Sequence, residues 1–593
     1  MLTELLFADL GDQSCSSPYL ILRSSTDDIT LYEPFQYPAA ASKPLLSFEG
    51  LRFRKVPGLH LPKYNEEGEV QSSEPMRVLP NTNGLKTVAM SGASPFMILR
   101  SAASLPRIVG FRNNALRSLT ALSTPACSDG FAFVDQKGDL SVCQLPDQTY
   151  YTNGGWSVRK LSVLPAEHQI HQISYHLERN VYVLVSSEAT DFYLPEEDYK
   201  PQELDENITL RPRARQFYIH LLSPETNAII SSYPFQTYEQ VTSLTVSPLE
   251  ISETTHQQRL LVAAGTITQK GEAYAAKGCI YVWDIVTVVP EPNHPETGHK
   301  LSLVSREEAR GAITAMTGIA GVLATGQSQK LIFRGLREDG QNLPVGFLDA
   351  QTYICSLKTL GGTKLWLAAD ALKGVWFGGF AEEPYKLTLF GKSRSKMEVV
   401  AAEFLPFQGQ LYILVVDADM DLHVLQYDPE NPKSLAGQRL IHRSLFHVGH
   451  LPRSMMLLPS TLKPFEAQVD GVEGEIDPAV EGQLMHVLVA NASGSIGLVT
   501  PLDETTYRRL SALQGSLSSI LEHACGLNPR AYRNVETEEG LGGARGVIDG
   551  DLICRVGELG AARRNEVLAR AGSEAWMLRS DLEILAGGGL GYL

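Results

Sequence analysis

Asp417, Asp419 and Asp421 stand at alternate positions, the opening spacing of a loop whose carboxylates converge on calcium. The pattern then stops, because the sixth position is Leu422 where a sharp turn wants glycine, and the twelfth is Asp428 rather than glutamate. The segment reads as a solvated hairpin turn. His168, His171 and His176, and His447 with His450, place imidazoles at short spacings that could meet on zinc. On a strand, however, side chains alternate faces, so His168 and His171 point opposite ways, and no cysteine or carboxylate completes either set. Structural or surface roles are expected. No G-x-S-x-G elbow presents a nucleophile. No P-loop or strand-to-helix G-x-G-x-x-G cradles phosphate, since the glycines at 587–591 lie in the terminal tail. The expectation is a chain with no catalytic residue, no bound metal and no cofactor.

The elements that would position any such groups are mostly strands. Short β-rich runs bounded by turn residues recur at Tyr19–Arg23, Val181–Ser187, Phe217–Leu222, Leu260–Thr266, Gly278–Ile285, Lys330–Phe333, Leu411–Val416 and Asp421–Tyr427. Leu411–Tyr427 shows the local logic: an apolar strand meets a polar turn and leaves as an alternating strand, the pattern of a blade hairpin. Many spaced strands imply a sandwich, a barrel or a propeller. Without a GH…WD signature or an exact repeat of about 40 residues, spacing does not choose among them.

Near the C-terminus the period changes. Tyr507, Leu510, Leu513, Leu517, Ile520 and Leu521 recur at helical spacing, Asp503 can cap the start, and Gly526 with Asn528-Pro529 closes it. Tyr507 and Leu510 are expected to face the core, with Arg508 and Arg509 facing out. Thr190–Arg215, acidic then basic through Arg211, Arg213 and Arg215, and Pro464–Gly482, with six acidic residues and no lysine or arginine, read as surface loops.

Hydrophobic residues make up 43% of the 593 and charged residues 20%, which is the composition of a folded chain. Lys and Arg number 51 against 67 Asp and Glu, a net charge of −16, so the global field repels phosphate and any nucleic-acid contact must be local. Seven cysteines without a C-x-x-C pair suggest neither a zinc finger nor a disulfide framework, and a reducing compartment fits best. The acidic start, MLTELLFADLGD, has no basic n-region, and no apolar run approaches the ~18 residues of a membrane span. Secretion and membrane insertion are not expected.

The wording Tyr507-Arg-Arg-Leu510, Gly526-Leu-Asn-Pro-Arg530-Ala-Tyr-Arg533 and Ile548-Asp-Gly-Asp-Leu552 resembles the C-terminal domain of the large subunit of the cleavage and polyadenylation specificity factor. Residues 265–285, Val289-Pro-Glu-Pro292, 353–370, 415–429 and 437–449 are similar to its third propeller. The resemblance implies membership of the CPSF A subunit family, whose triple-propeller scaffolds carry roughly seven blades in each propeller. It implies an all-β fold: residues 1–155 as the last blades of an incomplete second β-propeller, 156–502 as the third, seven-bladed propeller, and 503–593 as a small helical domain. Three whole propellers need a chain well over twice this length. The implied function is non-catalytic scaffolding in nuclear pre-mRNA 3′-end cleavage and polyadenylation. Implied partners are the WD-repeat and CCCH zinc-finger subunits and poly(A) polymerase, with pre-mRNA held mainly through the complex. Tyr507, Arg508, Arg509, Arg530 and Trp576 are the candidate partner contacts. The alternatives are a sister scaffold, in a DNA-damage ubiquitin ligase or the U2 splicing particle, and an RNA-binding module reading bases directly.

Overall fold

The computed structural model describes residues 1–12, 15–25, 27–36, 51–56, 74–100, 106–111, 115–125, 127–145, 149–151, 157–159, 163–165, 167–192, 213–224, 226–252, 254–272, 274–290, 297–382, 384–459, 484–523, 526–528, 531–535, 546–559, 561–574, 577–578 and 581–582. Among them, antiparallel sheets succeed one another as propeller blades, each built from strands consecutive in the chain. Blade 1 (2–56) and blade 2 (77–110) have four strands each and share a sheet only where Gly11 and Asp12 pair with Lys86 and Leu85; blade 3 (116–143) has three. After a short hairpin (149–159) come blade 4 (169–234), blade 5 (239–309), blade 6 (313–349), blade 7 (354–392) and blade 8 (399–447), all four-stranded, and the three-stranded blade 9 (452–499). Among the described residues blades 4–9 supply six sheets, for a third propeller in which the resemblance implies seven blades.

The cores lie between blades. Strand alternation gives every sheet two faces, and each hydrophobic cluster of the blades takes one face from a blade and the opposing face from the next. Phe333 with Trp366 fills the space between blades 6 and 7, and Phe377 with Phe404 that between blades 7 and 8. Trp283 and Trp366 are fully buried, and removing such a side chain typically costs about 3–5 kcal/mol. On blade 1, Ala8 and Leu10 face blade 2, while Leu5 and Phe7 on the opposite face remain 59% and 57% exposed.

A repeat that the sequence conceals is visible in the backbone. The first strand of every blade from 4 to 9 carries a β-bulge near its start, at His171, Thr242, Thr314, Cys355, Val400 and Arg453. These first strands lie side by side from blade to blade, the arrangement expected around a propeller axis. The bulges tie the blades into a belt. Gln172 Nε2 donates to Thr242 O (2.8 Å), Thr242 Oγ1 to Ile313 O, Thr314 Oγ1 to Ile354 O, and Cys355 Sγ to Val399 O (3.2 Å). Val400 has no side-chain donor, and there a charge takes over: Lys358 Nζ lies 2.9 Å from Glu403 Oε2 and 2.7 Å from Met455 O, joining blades 7, 8 and 9. Burial pushes the Glu403 carboxyl above its ordinary range against the pull of Lys358.

The expected hairpin at Leu411–Tyr427 forms, with Leu411 opposite Tyr427 and Val416 opposite Leu422. Within the stretch Thr190–Arg215, residues 193–212 lie outside the described residues, as does all of Pro464–Gly482.

Candidate partner interface at the helical domain

Helix α1 (Glu504–Ile520) starts where expected. Asp503 caps it by accepting from Thr506 N at 3.1 Å; burial pushes its carboxyl upward, but hydrogen bonds from Thr505 and Thr506 outweigh that and hold it below the usual range. The helix ends at Ile520, ahead of Gly526, because Leu521 turns extended and packs against the same core as the helix. Leu510, Leu513 and Leu517 are fully buried against Leu552 and Ile553 of α2 (Gly550–Cys554) and Val567 and Leu568 of α3 (Ala561–Arg570).

Of the five candidate contacts, the structure describes three. Arg508 faces out as expected, about three-quarters exposed and paired with Glu504 one turn earlier. Arg509 does not. Its Nη2 lies 2.9 Å from both carboxylate oxygens of buried Asp581, and its Nε donates to Oδ2 at 3.2 Å. A two-pronged guanidinium–carboxylate pair of this kind fixes geometry, so Arg509 is an internal clamp. Tyr507 is half-buried and its Oη accepts from Gly546 N at 3.0 Å, tying the helix to the return loop. Arg530 and Trp576 lie outside the described residues.

Sequence reasoning missed the residue that docks this domain. Arg533, inside the quoted motif, donates through Nη1 to His447 O (3.1 Å) and Val448 O (2.5 Å) at the end of blade 8, and through Nε to Asp549 Oδ2 (3.0 Å) at the start of α2. Its guanidinium also lies 4.6 Å from the Tyr532 ring centre and 5.2 Å from that of Phe446. The backbone comes close as well: a β-carbon on Gly449 would stand 2.6 Å from Tyr532 Oη. On the other side, Arg564 of α3 is 2% exposed and pairs with Asp28 of blade 1. The helical domain is thus held to blade 8 and to blade 1, leaving the outer side of α1 around Arg508 available.

The aspartates and histidines that suggested metal chemistry have other work. Asp417 Oδ1 accepts from the backbone of Asp419 (3.1 Å) and Asp421 (2.9 Å), closing the turn, while its Oδ2 meets His423 Nε2 at 2.8 Å. Asp421 meets His447 Nδ1 at 2.8 Å. Among the described residues, no group of three or more such ligands could hold a metal. In blade 4, His168 bonds Ser186 and His171 bonds Ser187, on opposite faces as alternation requires. Glu188, His168 and Ser186 do stand in the order of a hydrolytic triad, at 3.3 and 3.2 Å. Ser186 is fully buried, however, and its Oγ is also bound to His220 Nε2 at 2.8 Å, so the set works as a crosslink within the sheet.

Comparison with known proteins matches this architecture. The model of the CPSF A subunit region matches residues 216–558, and that of the RSE1/DDB1/CPSF1 second β-propeller matches residues 1–145. Curated relatives include Protein CFT1 of Coccidioides immitis, 43% identical over 99% of this chain and 42% of that protein, and Protein cft1 of Aspergillus fumigatus, 42% identical over 100% and 42%. Protein cft1 of Schizosaccharomyces pombe is 32% identical over 98% of the chain and 40% of its own length. The chain spans about two fifths of the length of these relatives. Matched by the family model over more than half its length and carrying propeller blades with a docked helical domain, the chain belongs to the CPSF A subunit family.

Proposed function

We propose that this chain acts as the C-terminal part of a non-catalytic scaffold in nuclear pre-mRNA 3′-end cleavage and polyadenylation. In this reading residues 1–155 are the last blades of a second propeller, 156–502 form the third, and 503–593 form a helical domain. Closed sheets and their loops then present partners to one another, and the chemistry belongs to those partners. The WD-repeat and CCCH zinc-finger subunits are the proposed neighbours, with poly(A) polymerase joining the same assembly and pre-mRNA held chiefly through it.

The observation that carries this reading is the double docking of the helical domain, by Arg533 to blade 8 and by Arg564 to blade 1. A domain fixed at both sides is a platform of defined orientation, which is what a scaffold needs and a tethered enzyme does not. The helical domain counts thirteen acidic residues against ten arginines and no lysine, so it offers no net attraction to phosphate and suits protein partners better. The test is affinity purification from nuclear extract. The full chain should bring down the WD-repeat and zinc-finger subunits, and a chain ending at Pro501 should lose both. Equal recovery by the two chains would overturn the assignment of the helical domain.

A further inference from the structure

Blades 7 and 8 meet at an outer seam, where the last strand of blade 7, Tyr385–Lys392, runs beside the segment leading into the last strand of blade 8, Ile441–His447. Lys392 N donates to Gln438 O at 3.1 Å and Leu440 N donates to Lys392 O at 2.9 Å, which makes Lys392 and Arg439 bridge partners with side chains abreast. Both are exposed. Like charges set opposite each other in a sheet are destabilising, and among the described residues no ion pair joins either of them to a carboxylate.

The surrounding loops extend this charge. Ser393 Oγ accepts from Val375 N at 3.1 Å, which seats the loop bearing Arg394 and Lys396 on the turn bearing Lys373. The segment before Arg439 bears Lys433 and is locked in an unusual shape. Leu435, Ala436 and Gly437 are consecutive left-handed residues (φ 52°, 57° and 85°), held by Ser434 Oγ, which accepts from Gly437 N at 3.1 Å, and by Arg439 N donating to Ser434 O at 2.9 Å. Two non-glycine residues in that region cost energy, and such strain collects at binding sites. Lys373, Lys392, Arg394, Lys396, Lys433 and Arg439 share these loops with three carboxylates, Glu398, Glu430 and Asp428, the last 3.8 Å from Arg443. In a chain of net charge −16 this is a local reversal of sign.

We propose that the seam is a track for the phosphate backbone of single-stranded RNA, bound without sequence preference. Four of the six cations are lysines, compact point charges suited to phosphate. The loops bear no exposed aromatic ring on which a base could stack, since Phe390 and Tyr427 are packed against Phe377. Exposed Leu372 and Leu435 would instead serve an acidic, partly apolar peptide, the rival occupant. The inference rests on the proposed function, which brings pre-mRNA beside this chain.

The experiment is fluorescence anisotropy of the full chain with a labelled oligouridylate across a salt series. Lys392→Glu with Arg439→Glu should weaken binding about tenfold or more and reduce the slope of log affinity against log salt by roughly 1.4, two contacts at ~0.7 each for a single strand. Lys392→Gln with Arg439→Gln should lower the slope similarly, and neither pair should melt below the parent, the glutamine pair being relieved of the like-charge contact. A control pair of equal charge change, Lys277→Glu with Lys300→Glu on blade 5, should leave the slope intact. An unchanged slope in the seam variants, or equal loss in the control, overturns the proposal. So does loss of binding to a labelled Glu/Leu peptide with RNA binding retained, which assigns the seam to a protein partner. Because the seam lies outside the helical domain, unaltered recovery of nuclear subunits by a variant with no RNA defect refutes the track alone.

Discussion

Arg564 and Asp28, separated by 536 residues in the chain, form an ion pair that joins helix α3 to the turn between the second and third strands of blade 1. Arg564 is 2% exposed and its Nε has no partner among the described residues, so the guanidinium has given up most of its water for this contact. Removing one partner of a buried pair leaves the other charge uncompensated, at a cost of about 3–5 kcal/mol. Arg564→Ala or Asp28→Asn should therefore loosen blade 1 from the helical domain, read as earlier proteolysis near residue 28 and a lower unfolding midpoint. The double variant Arg564→Met, Asp28→Leu should recover much of the loss, because the stranded charge is gone. A double variant no better than the singles would show that the pair is not the source of the stability.

Arg533 should be the least replaceable arginine of the junction. It is 15% exposed, its fork serves two carbonyls and the carboxylates of Asp549 and Asp551, and its flat face lies over Tyr532 and Phe446. Lysine keeps the charge but offers neither the fork nor the planar face. Both Arg533→Lys and Arg533→Ala are expected to destabilise the docking of the helical domain, the alanine by about 3 kcal/mol or more. Denaturant unfolding followed at the helical domain would show a separate early transition. A single unchanged transition for the lysine variant would mean that charge alone holds the junction.

What was legible in the sequence is what depends on near neighbours. The Asp503 cap and the hairpin around Asp417 rest on contacts within a few residues, the Leu510–Leu513–Leu517 stripe shows itself in helical spacing whatever covers it, and each appears where its pattern placed it. The inward turn of Arg509 depends on Asp581, 72 residues away, so helical periodicity could not reveal it. Arg533 stood in plain view inside a family-like motif, yet two of its partners are backbone carbonyls, which have no sequence signature, and its contacts to blade 8 span 85 residues or more. The bulge repeat was hidden for another reason. His, Thr, Thr, Cys, Val and Arg occupy equivalent backbone positions, because a bulge is set by strand geometry and tolerates many side chains.

The belt and the charge that completes it give a test of blade order. Glu403 is buried and joined by Lys358, itself one-third exposed, at 2.9 Å. Glu403→Ala should cost on the order of 3 kcal/mol, the lower end for breaking a buried pair, since Lys358 can partly rehydrate. The pH dependence has a definite sign. Burial raises the folded-state pKa of Glu403, so the folded chain holds this proton more tightly. Its contribution is greatest below the ordinary glutamate pKa and is lost as pH rises through the folded value. Glu403→Gln should flatten that slope. An unaltered slope in this variant would assign it to another carboxyl.

Blade 4 should respond to acid in the opposite sense, through His220. This imidazole is 4% exposed, with Ser186 Oγ 2.8 Å from Nε2 and Ser232 Oγ 2.7 Å from Nδ1. Burial, reinforced by nearby His168, lowers its pKa from 6.5 to about 4. The folded state thus keeps His220 neutral where the unfolded chain would already be protonated. Its stabilising contribution is complete above the unfolded pKa and disappears as pH falls through the folded one, a window from about 6.5 down to about 4. Over that window the loss amounts to roughly 3 kcal/mol, taking 1.36 kcal/mol per pKa unit. His171, also lowered by burial and by Arg215, adds to it in the same direction. Thermal unfolding measured between pH 7 and pH 4 should show a falling midpoint in the parent chain. His220→Gln should begin lower, having lost one serine contact, and then fall less steeply. Parallel curves for the two proteins would exclude His220 as the titrating group and place the acid sensitivity elsewhere in the sheet.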